Sequence, residues 1–130
     1  MMTDWLSSID AVVIFTGSEM LHCNEAAVRL FSYPNQQQLL SQTPAALLLS
    51  QQPDSLSATE RLLMLIIEAQ QEGVSKGAVA ARSADGKGFF ARLVILSETG
   101  NEGEAKRYYT KWLRMRSSET NLTVQKNSSL

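Results

Sequence analysis

The residue types best suited to nucleophilic or metal chemistry are scarce in this sequence. It contains one histidine, His22, and one cysteine, Cys23, and the two are consecutive. A cysteine nucleophile needs a nearby base, but neighbouring residues of a strand point to opposite faces. One cysteine and one histidine also fall short of the four ligands of a structural zinc site. We therefore expect no catalytic residues, no metal site and no enzymatic activity in this chain.

Motifs for phosphate or dinucleotide binding are missing as well. The sequence has no phosphate-binding glycine loop, no dinucleotide fingerprint and no His-Glu zinc motif. Met64 carries a thioether that could bind haem iron, but it lies inside the apolar run from Leu62 to Ile67, which favours a role in core packing. Cys23 is best interpreted as a small buried hydrophobic residue.

Charge and length exclude several partners. The 130 residues suit one domain, and 12 basic against 13 acidic residues give a net charge of −1. The chain therefore has no overall positive electrostatic field that would attract nucleic acid. Residues 1–75 carry a net charge of −6 and residues 76–130 a net charge of +5, which indicates an acidic half folding against a basic half.

The sequence also lacks signals for a membrane. The longest apolar run is far shorter than the ~20 residues of a membrane span, and residues 1–4 lack the features of a signal peptide. We expect a cytoplasmic protein that binds neither nucleic acid nor membrane.

Hydrophobic periodicity predicts a mixed set of elements in the first half of the chain. Trp5, Leu6 and Ile9 have the spacing of a short N-terminal lead helix. The run 11–15 reads as a strand, and 20–23 as a second strand that pairs with it. Asn24 is a good N-cap for a helix that ends before Pro34. Residues 35–40 and 43–49 form two more short helical pieces, with Thr43 as the second cap.

The best-defined element is a longer helix from Ser57 to Gly73. Ser57 and Glu60 match the S-x-x-E capping box. The six apolar residues from Leu62 to Ile67 cover more than one side of a helix. This helix is therefore expected to be buried on two sides or to share one side with a partner.

Three strands follow the longer helix. They are predicted over residues 76–83, 89–96 and 106–116, and Asp85-Gly86 indicates a type I′ hairpin turn between the first two. Both faces of the middle strand are largely apolar, so each face of the sheet should be covered. From residue 117 the sequence becomes polar, and residues 117–130 are interpreted as a tail or as the start of a linker.

This order of elements, together with specific residues, resembles the PAS sensor domain. The segment from Leu6 to Val13 looks like the family's lead helix running into its first strand. Cys23-Asn24-Glu25-Ala26-Ala27 is similar to the family's Asn-x-Ala-Ala motif, and Leu30-Phe31-Ser32-Tyr33 stands where many members have Leu-Phe-Gly-Tyr. The segment from Arg82 to Lys87 occupies the place of the family's Asp-Gly hairpin. The resemblance covers residues 5–116, and we take residues 1–116 as the domain.

The resemblance implies an α+β fold. A five-stranded antiparallel sheet would carry short helices and one longer helix on one face, with a small apolar cavity between that helix and the sheet. Such a cavity would place ligand-binding residues on the helix and on the inner strand face; they are Leu63, Ile66, Ile67, Phe89, Leu93 and Tyr108. The alternative is that these residues simply fill the core.

Known cofactor sites of the family do not match this chain. Haem-binding members usually take their histidine from the longer helix, which has none here, and the flavin-binding LOV domains carry their reactive cysteine in a motif that is absent. We predict no cofactor, with haem and flavin both disfavoured. Many members also end the last strand with an Asp-x-Thr segment that couples to the next helix. Here Arg116 is followed by Ser117-Ser118-Glu119, so the usual coupling acid is missing.

The resemblance leaves two functional hypotheses. One is a sensory input domain that dimerises, binds a small molecule and controls an attached output domain, a GGDEF-type diguanylate cyclase or a histidine kinase. The other is a ligand-free protein–protein interaction module. The expected homodimer would use the lead helix and the outer face of the sheet, because that strand face is apolar except for Arg92; its interface residues would be Trp5, Leu6, Ile9, Phe90 and Val94.

Overall fold

The computed structural model describes residues 9–17, 19–98 and 106–115. Five antiparallel strands form one sheet in the order β2-β1-β5-β4-β3. The strands are β1 (Ala11–Thr16), β2 (Glu19–Cys23), β3 (Val74–Arg82), β4 (Gly88–Glu98) and β5 (Arg107–Arg114). Between β2 and β3 come α1 (Glu25–Leu30), α2 (Gln36–Leu40), a 3-10 helix (Pro44–Leu47) and α3 (Ala58–Glu72). The expected α+β architecture is confirmed.

Some predicted segments lie outside the described residues. They include Trp5 and Leu6 of the lead helix and the tail 117–130. Ile9, the last residue of that predicted helix, is described and is 93% exposed. None of the helices in the described ranges is long and apolar enough to cross a membrane.

Strand alternation divides the sheet into an inner and an outer face. Side chains of the inner face join the helices in one large core cluster that includes Val13, Phe15 and Leu93. On the outer face, Val12, Ile14 and Tyr109 form a second, smaller cluster. Burial of apolar surface in the large cluster is the main force that holds the helices against the sheet.

Asn24 connects the start of β1 to the start of α1. Its Oδ1 accepts hydrogen bonds from the backbone N–H groups of Val12 and Ala27, both at 2.9 Å. Its Nδ2 donates to the carbonyl of Asp10 at 2.9 Å, and the residue is only 6% exposed. One side chain therefore caps a helix and anchors a strand.

The β3–β4 hairpin is confirmed at Asp85-Gly86, but the type I′ turn is wrong. Arg82 pairs with Gly88, and the Ser83 N–H donates to the Lys87 carbonyl at 2.9 Å, which closes a loop one residue longer. Gly86 has a φ of +86°, whereas Asp85 is not among the residues with positive φ. A type I turn followed by a left-handed glycine is the usual form of such a loop.

Helix α3 is buried on one side only. Leu62, Leu65 and Ala69 face the core, whereas Leu63 and Met64 are exposed. Burial on two sides, the first of the two expectations for this helix, is therefore wrong within the described part of the chain. The apolar residues on the other side remain in contact with solvent.

Removal of the Asn24 side chain should lower stability sharply. Asn24→Ala deletes a helix cap and leaves buried backbone groups without partners, so we expect a loss of about 2–4 kcal/mol in the free energy of unfolding. The matched control is Asn35→Ala at α2, where the side chain makes an exposed cap bond to Gln38 and about 0.5–1 kcal/mol should be lost. Equal losses in urea titrations of the two variants would contradict the special role of Asn24.

Gly86 should be required for its backbone conformation alone. No atom lies within 4 Å of a Cβ built at this position, so Gly86→Val meets no steric clash with neighbours and carries only the strain of a β-branched residue at positive φ. We expect a cost of about 1–3 kcal/mol. Gly86→Asn should cost less, because asparagine tolerates this region. Thermal unfolding of the two variants measures the difference, and an unchanged melting temperature for Gly86→Val would refute the argument.

Candidate functional site

Helix α3 forms one wall of the candidate site, and local sequence sets its ends. The Ser57 Oγ accepts from the Glu60 N–H at 3.1 Å, and the Ser57 N–H donates to the Glu60 carboxylate at 3.0 Å. These two bonds are the predicted capping box, and the hydrogen bonds that Ser57 gives to the Glu60 carboxylate lower its pKa. Gly73 ends the helix with a φ of +89°, a conformation that glycine adopts without strain.

Polar contacts along its length hold α3 against the sheet. The Arg61 Nη2 donates to the Ala78 carbonyl at 3.0 Å, and the Ser75 Oγ donates to the Leu65 carbonyl at 2.7 Å. Gln70 donates to the Tyr108 hydroxyl at 2.6 Å. The spacing of these contacts over successive turns fixes which face of α3 points inward.

Gly77 allows the close approach of α3 to β3. A Cβ at this position would lie 2.7 Å from Arg61 Nη2 and 3.1 Å from Leu65 Cδ2. The first distance is too short for real atoms, so a side chain at Gly77 would displace the Arg61 guanidinium from its place on β3 and would crowd Leu65. Gly77 carries no signal in the sequence, because its role depends on contacts with Arg61 and Leu65, which lie 16 and 12 positions earlier in the chain.

Aromatic rings occupy much of the space between the helices and the sheet. Phe31 meets Trp112 edge to face with a centroid distance of 5.1 Å and lies 5.9 Å from Phe89. Phe15 and Tyr108 form a second pair at 5.5 Å. These aromatic pairs stabilise the fold by more than the apolar area that they bury would account for.

The six predicted ligand-binding residues do not all come together. Leu93 is fully buried, Tyr108 is 6% exposed, and half-buried Phe89 and Ile66 pack against the same core. Leu63 and Ile67 are 52% and 43% exposed. The three strand residues and Ile66 therefore meet at the core, whereas Leu63 and Ile67 lie at the surface.

Leu63 and Ile66 line a groove between α3 and the 3-10 helix. It encloses about 330 Å³, and its walls are mainly apolar; the lining residues are Gly17, Thr43, Pro44, Ala45, Thr59, Leu62, Leu63 and Ile66. Thr43 occupies the N-cap position of the 3-10 helix, but its side chain makes no capping bond. Thr43 and Thr59 thus place two side-chain hydroxyls among the residues that line an apolar groove.

A second depression lies where the chain enters β1 and leaves β5. It is wider and more polar, with a volume of about 520 Å³, and its lining includes Asp10, Arg29 and Arg114. The Arg114 guanidinium lies over the Phe89 ring, 4.8 Å from its centroid, an arrangement typical of cation–π contacts. Sequence reasoning missed this depression, because its two arginines are 85 positions apart.

His22 and Cys23 lie on opposite sides of β2, as strand alternation predicts. His22 is exposed, and Cys23 is buried in the core. Burial, and then the negative charge of Glu25, raise the pKa of the Cys23 thiol to about 11. Across the described ranges, no group of three His, Cys, Asp or Glu side chains is placed to hold a metal ion.

The residues predicted for dimerisation are only partly described. Phe90 and Val94 are half-buried on the outer face of β4. The register pairs Val94 with Lys76 on β3 and with Lys111 on β5, so this face carries more cations than Arg92 alone. Apolar side chains are also exposed there; Val74, Leu96 and Leu113 are 39%, 37% and 37% exposed.

Comparison with known proteins gives similarity at the level of structure. No protein-family model matches the sequence, and none of the curated proteins matches it. A PAS domain from a two-component sensor histidine kinase superposes with a TM-score of 0.65 at 16% identity, covering 85% of this chain and 88% of that one. A PAS domain from Colwellia psychrerythraea gives a TM-score of 0.70 at 16% identity, with coverage of 88% and 92%. The chain has the PAS fold.

A third PAS domain carries a bound molecule. It belongs to a LuxR-family transcriptional regulator from Burkholderia thailandensis and was solved in complex with ethanol; its TM-score is 0.65 at 14% identity, with coverage of 88% of this chain and 96% of that one. At these identities the likeness concerns the PAS fold itself. Similarity of fold alone transfers no functional residue to this chain.

The buried thiol should react slowly while the domain is folded. At pH 8 we expect slow modification of Cys23 by a disulfide reagent in native buffer and fast modification in urea, because the thiolate is the reactive species. The ordinary thiol pKa is 9.0, so the unfolded chain loses this proton first, and the free energy of unfolding should fall as the pH rises from 9 towards 11. Cys23→Ala should make that fall smaller; an identical pH profile would contradict the pKa shift.

Proposed function

We propose that this PAS-fold chain is a sensory input domain that binds a small apolar molecule and controls an attached output domain, a diguanylate cyclase or a histidine kinase, in the cytoplasm. The groove beside α3 carries the proposal. Its volume of about 330 Å³ lies at the lower end of the ~300–1,000 Å³ typical of small-molecule sites. In this proposal the chain itself catalyses no reaction. Its role is to signal to the output domain whether a ligand occupies the groove.

The lining of the groove indicates the kind of ligand. Pro44, Leu62 and Ile66 offer apolar contact, which suits an alkyl or aromatic group. The hydroxyls of Thr43 and Thr59 stand at the same groove and supply the few polar groups that orient a ligand. A small amphiphile, with an apolar body and one hydroxyl or carbonyl group, fits this combination.

Binding to the groove is tested with n-octanol as a probe in saturation-transfer NMR. Ala45 lines the groove, whereas its neighbour Ala46 is not among the lining residues. Ala45→Leu should therefore fill the groove and weaken octanol binding by about tenfold or more, while Ala46→Leu should leave it unchanged. Absence of saturation transfer to octanol, or equal effects of the two substitutions, would refute the groove as the ligand site.

A ligand-free interaction module is the second candidate. The observation that favours it is the exposure of Leu63, Met64 and Ile67 along α3. Mass spectrometry of the denatured, purified protein separates the two candidates. A copurifying small molecule supports the sensory proposal, and its absence together with a failed octanol experiment supports the interaction module.

We also propose a homodimer through the outer face of the sheet. Exposed apolar side chains support this choice, since Val74, Leu96 and Leu113 lie on that face and apolar patches of this kind often mark interfaces. A symmetric dimer would bring the same face of both copies together. The lead-helix residues Trp5 and Leu6 would complete the interface together with Ile9, Phe90 and Val94.

Light scattering at high micromolar concentration tests the dimer. The wild-type chain should be dimeric, and replacement of both Trp5 and Leu6 by serine should give monomers that remain folded by circular dichroism. Leu63→Ser, on the opposite side of the domain, serves as the control and should leave the dimer intact. A wild-type chain that is already monomeric would refute the interface.

A further inference from the structure

Helix α3 carries an apolar patch that the described residues leave exposed. Leu63, Met64 and Ile67 are 52%, 53% and 43% exposed. Residues three and four positions apart lie on the same side of a helix, so these side chains form one continuous surface, here called the α3 patch. Exposed apolar side chains that lie side by side often mark a binding surface.

The inner side of α3 is already fully engaged, so the α3 patch cannot simply rotate into the core. Leu62, Leu65 and Ala69 are buried beneath the helix. Arg61 and Gln70 are bonded to the sheet on either side of them. Rotation would break these bonds and expose the buried leucines, so no rotation of α3 against the described residues covers the patch.

We propose that the α3 patch binds an amphipathic helix of a partner protein whose apolar stripe is flanked by lysine or arginine. This surface is separate from the proposed dimer face on the sheet, and its use does not depend on a ligand in the groove. Helices commonly recognise such surfaces through apolar residues on one side. The three exposed side chains match the width of one such stripe.

The charges around the α3 patch select the kind of partner. Glu60 and Glu68 lie one turn before and one turn after Met64, and Glu72 follows one turn later. Arg61 is the only basic residue of the helix, and its guanidinium is occupied by the Ala78 carbonyl at 3.0 Å and by Asp54 at 3.6 Å. The rim is therefore acidic, and basic residues of a partner would complement it.

The same charges disfavour other occupants. In a pair of α3 helices from two copies of this chain, the acidic rims would face each other, and like charges across an interface are costly. A membrane with anionic headgroups would repel the rim for the same reason. The size of the patch also matters. Three side chains cover less area than the ~800 Å² that each partner buries in a standard protein–protein interface, and an area of this size suits a single docked helix.

Two synthetic peptides test the proposal on the full chain. Both carry leucines at positions i, i+3, i+4 and i+7; the remaining residues are lysine in one peptide and glutamate in the other. By isothermal titration calorimetry, we expect the lysine peptide to bind the wild-type chain about tenfold or more tightly than the glutamate peptide. No binding of the lysine peptide, or equal binding of both peptides, would overturn the proposal.

Substitutions locate the binding. Leu63→Gln and Ile67→Gln should each weaken binding of the lysine peptide by about tenfold, which is the effect expected for loss of one buried aliphatic side chain. Leu96→Thr, which changes an exposed residue of the sheet, is the control and should leave binding unchanged. Glu68→Gln should weaken binding, whereas Glu25→Gln on α1 should not. Equal effects of the patch and control substitutions would overturn the proposal, because binding would then be unspecific.

Further measurements keep the test decisive if a variant fails to fold. In NMR spectra of the wild-type chain, the lysine peptide should shift amide signals of residues 59–71, and shifts confined to the sheet would overturn the proposal. Binding to anionic vesicles that is lost in Leu63→Gln would identify a membrane surface instead. A dimer that dissociates in Leu63→Gln would identify a second copy as the occupant.

Discussion

The buried amide of Asn24 is the constraint on which the rest of the fold depends. Strand β1 lies in the interior of the sheet, between β2 and β5, and the buried backbone N–H of Val12 near its start needs a partner. The Asn24 amide provides it and at the same time caps α1 through Ala27. A buried side chain that bonds backbone groups of Asp10, Val12 and Ala27 cannot move without leaving a donor or acceptor unsatisfied. The position of α1 relative to the sheet follows from this arrangement.

A comparable constraint acts at the opposite edge of the sheet. Strand β3 is an edge strand, and exposed backbone groups of edge strands readily pair with other chains. The Gln52 side chain accepts from the Ala80 N–H at 2.8 Å and donates to the Ala80 carbonyl at 2.9 Å, while Arg61 binds the Ala78 carbonyl. These side chains occupy part of the β3 edge. Its backbone is therefore less available for pairing with another chain, and association of the domain is directed to surfaces formed by side chains.

Three surfaces of the domain thus have different chemistry. The outer sheet face combines apolar side chains with cations such as Lys76 and Arg92, the groove is apolar with two threonine hydroxyls, and the α3 patch is apolar with an acidic rim. Leu63 lines the groove and also belongs to the α3 patch. A molecule in the groove would therefore contact a side chain that the proposed partner helix buries, which gives ligand and partner a direct physical connection without any movement of the sheet.

Local signals made the elements of this chain predictable from sequence. The Ser57–Glu60 capping box, the Asn24 cap and the positive φ of Gly86 each act within a few residues, so the amino-acid order alone determines them. The position of the β3–β4 hairpin followed from the same kind of signal. Its loop type did not, because the pairing of Arg82 with Gly88 depends on the register of two whole strands.

The candidate site was much less predictable, because it depends on contacts between distant segments. The sequence by itself determined that α3 is apolar on more than one side. Which residues point inward was decided by the tertiary structure, where Gly77 leaves room for Arg61 and Leu65 beside β3 and the bonds of Arg61 and Gln70 to the sheet fix the rotation of the helix. That rotation buries Leu62 and Leu65 and leaves Leu63 and Ile67 at the surface. The periodicity of a helix defines its faces, but only the packing against the sheet selects which face is covered.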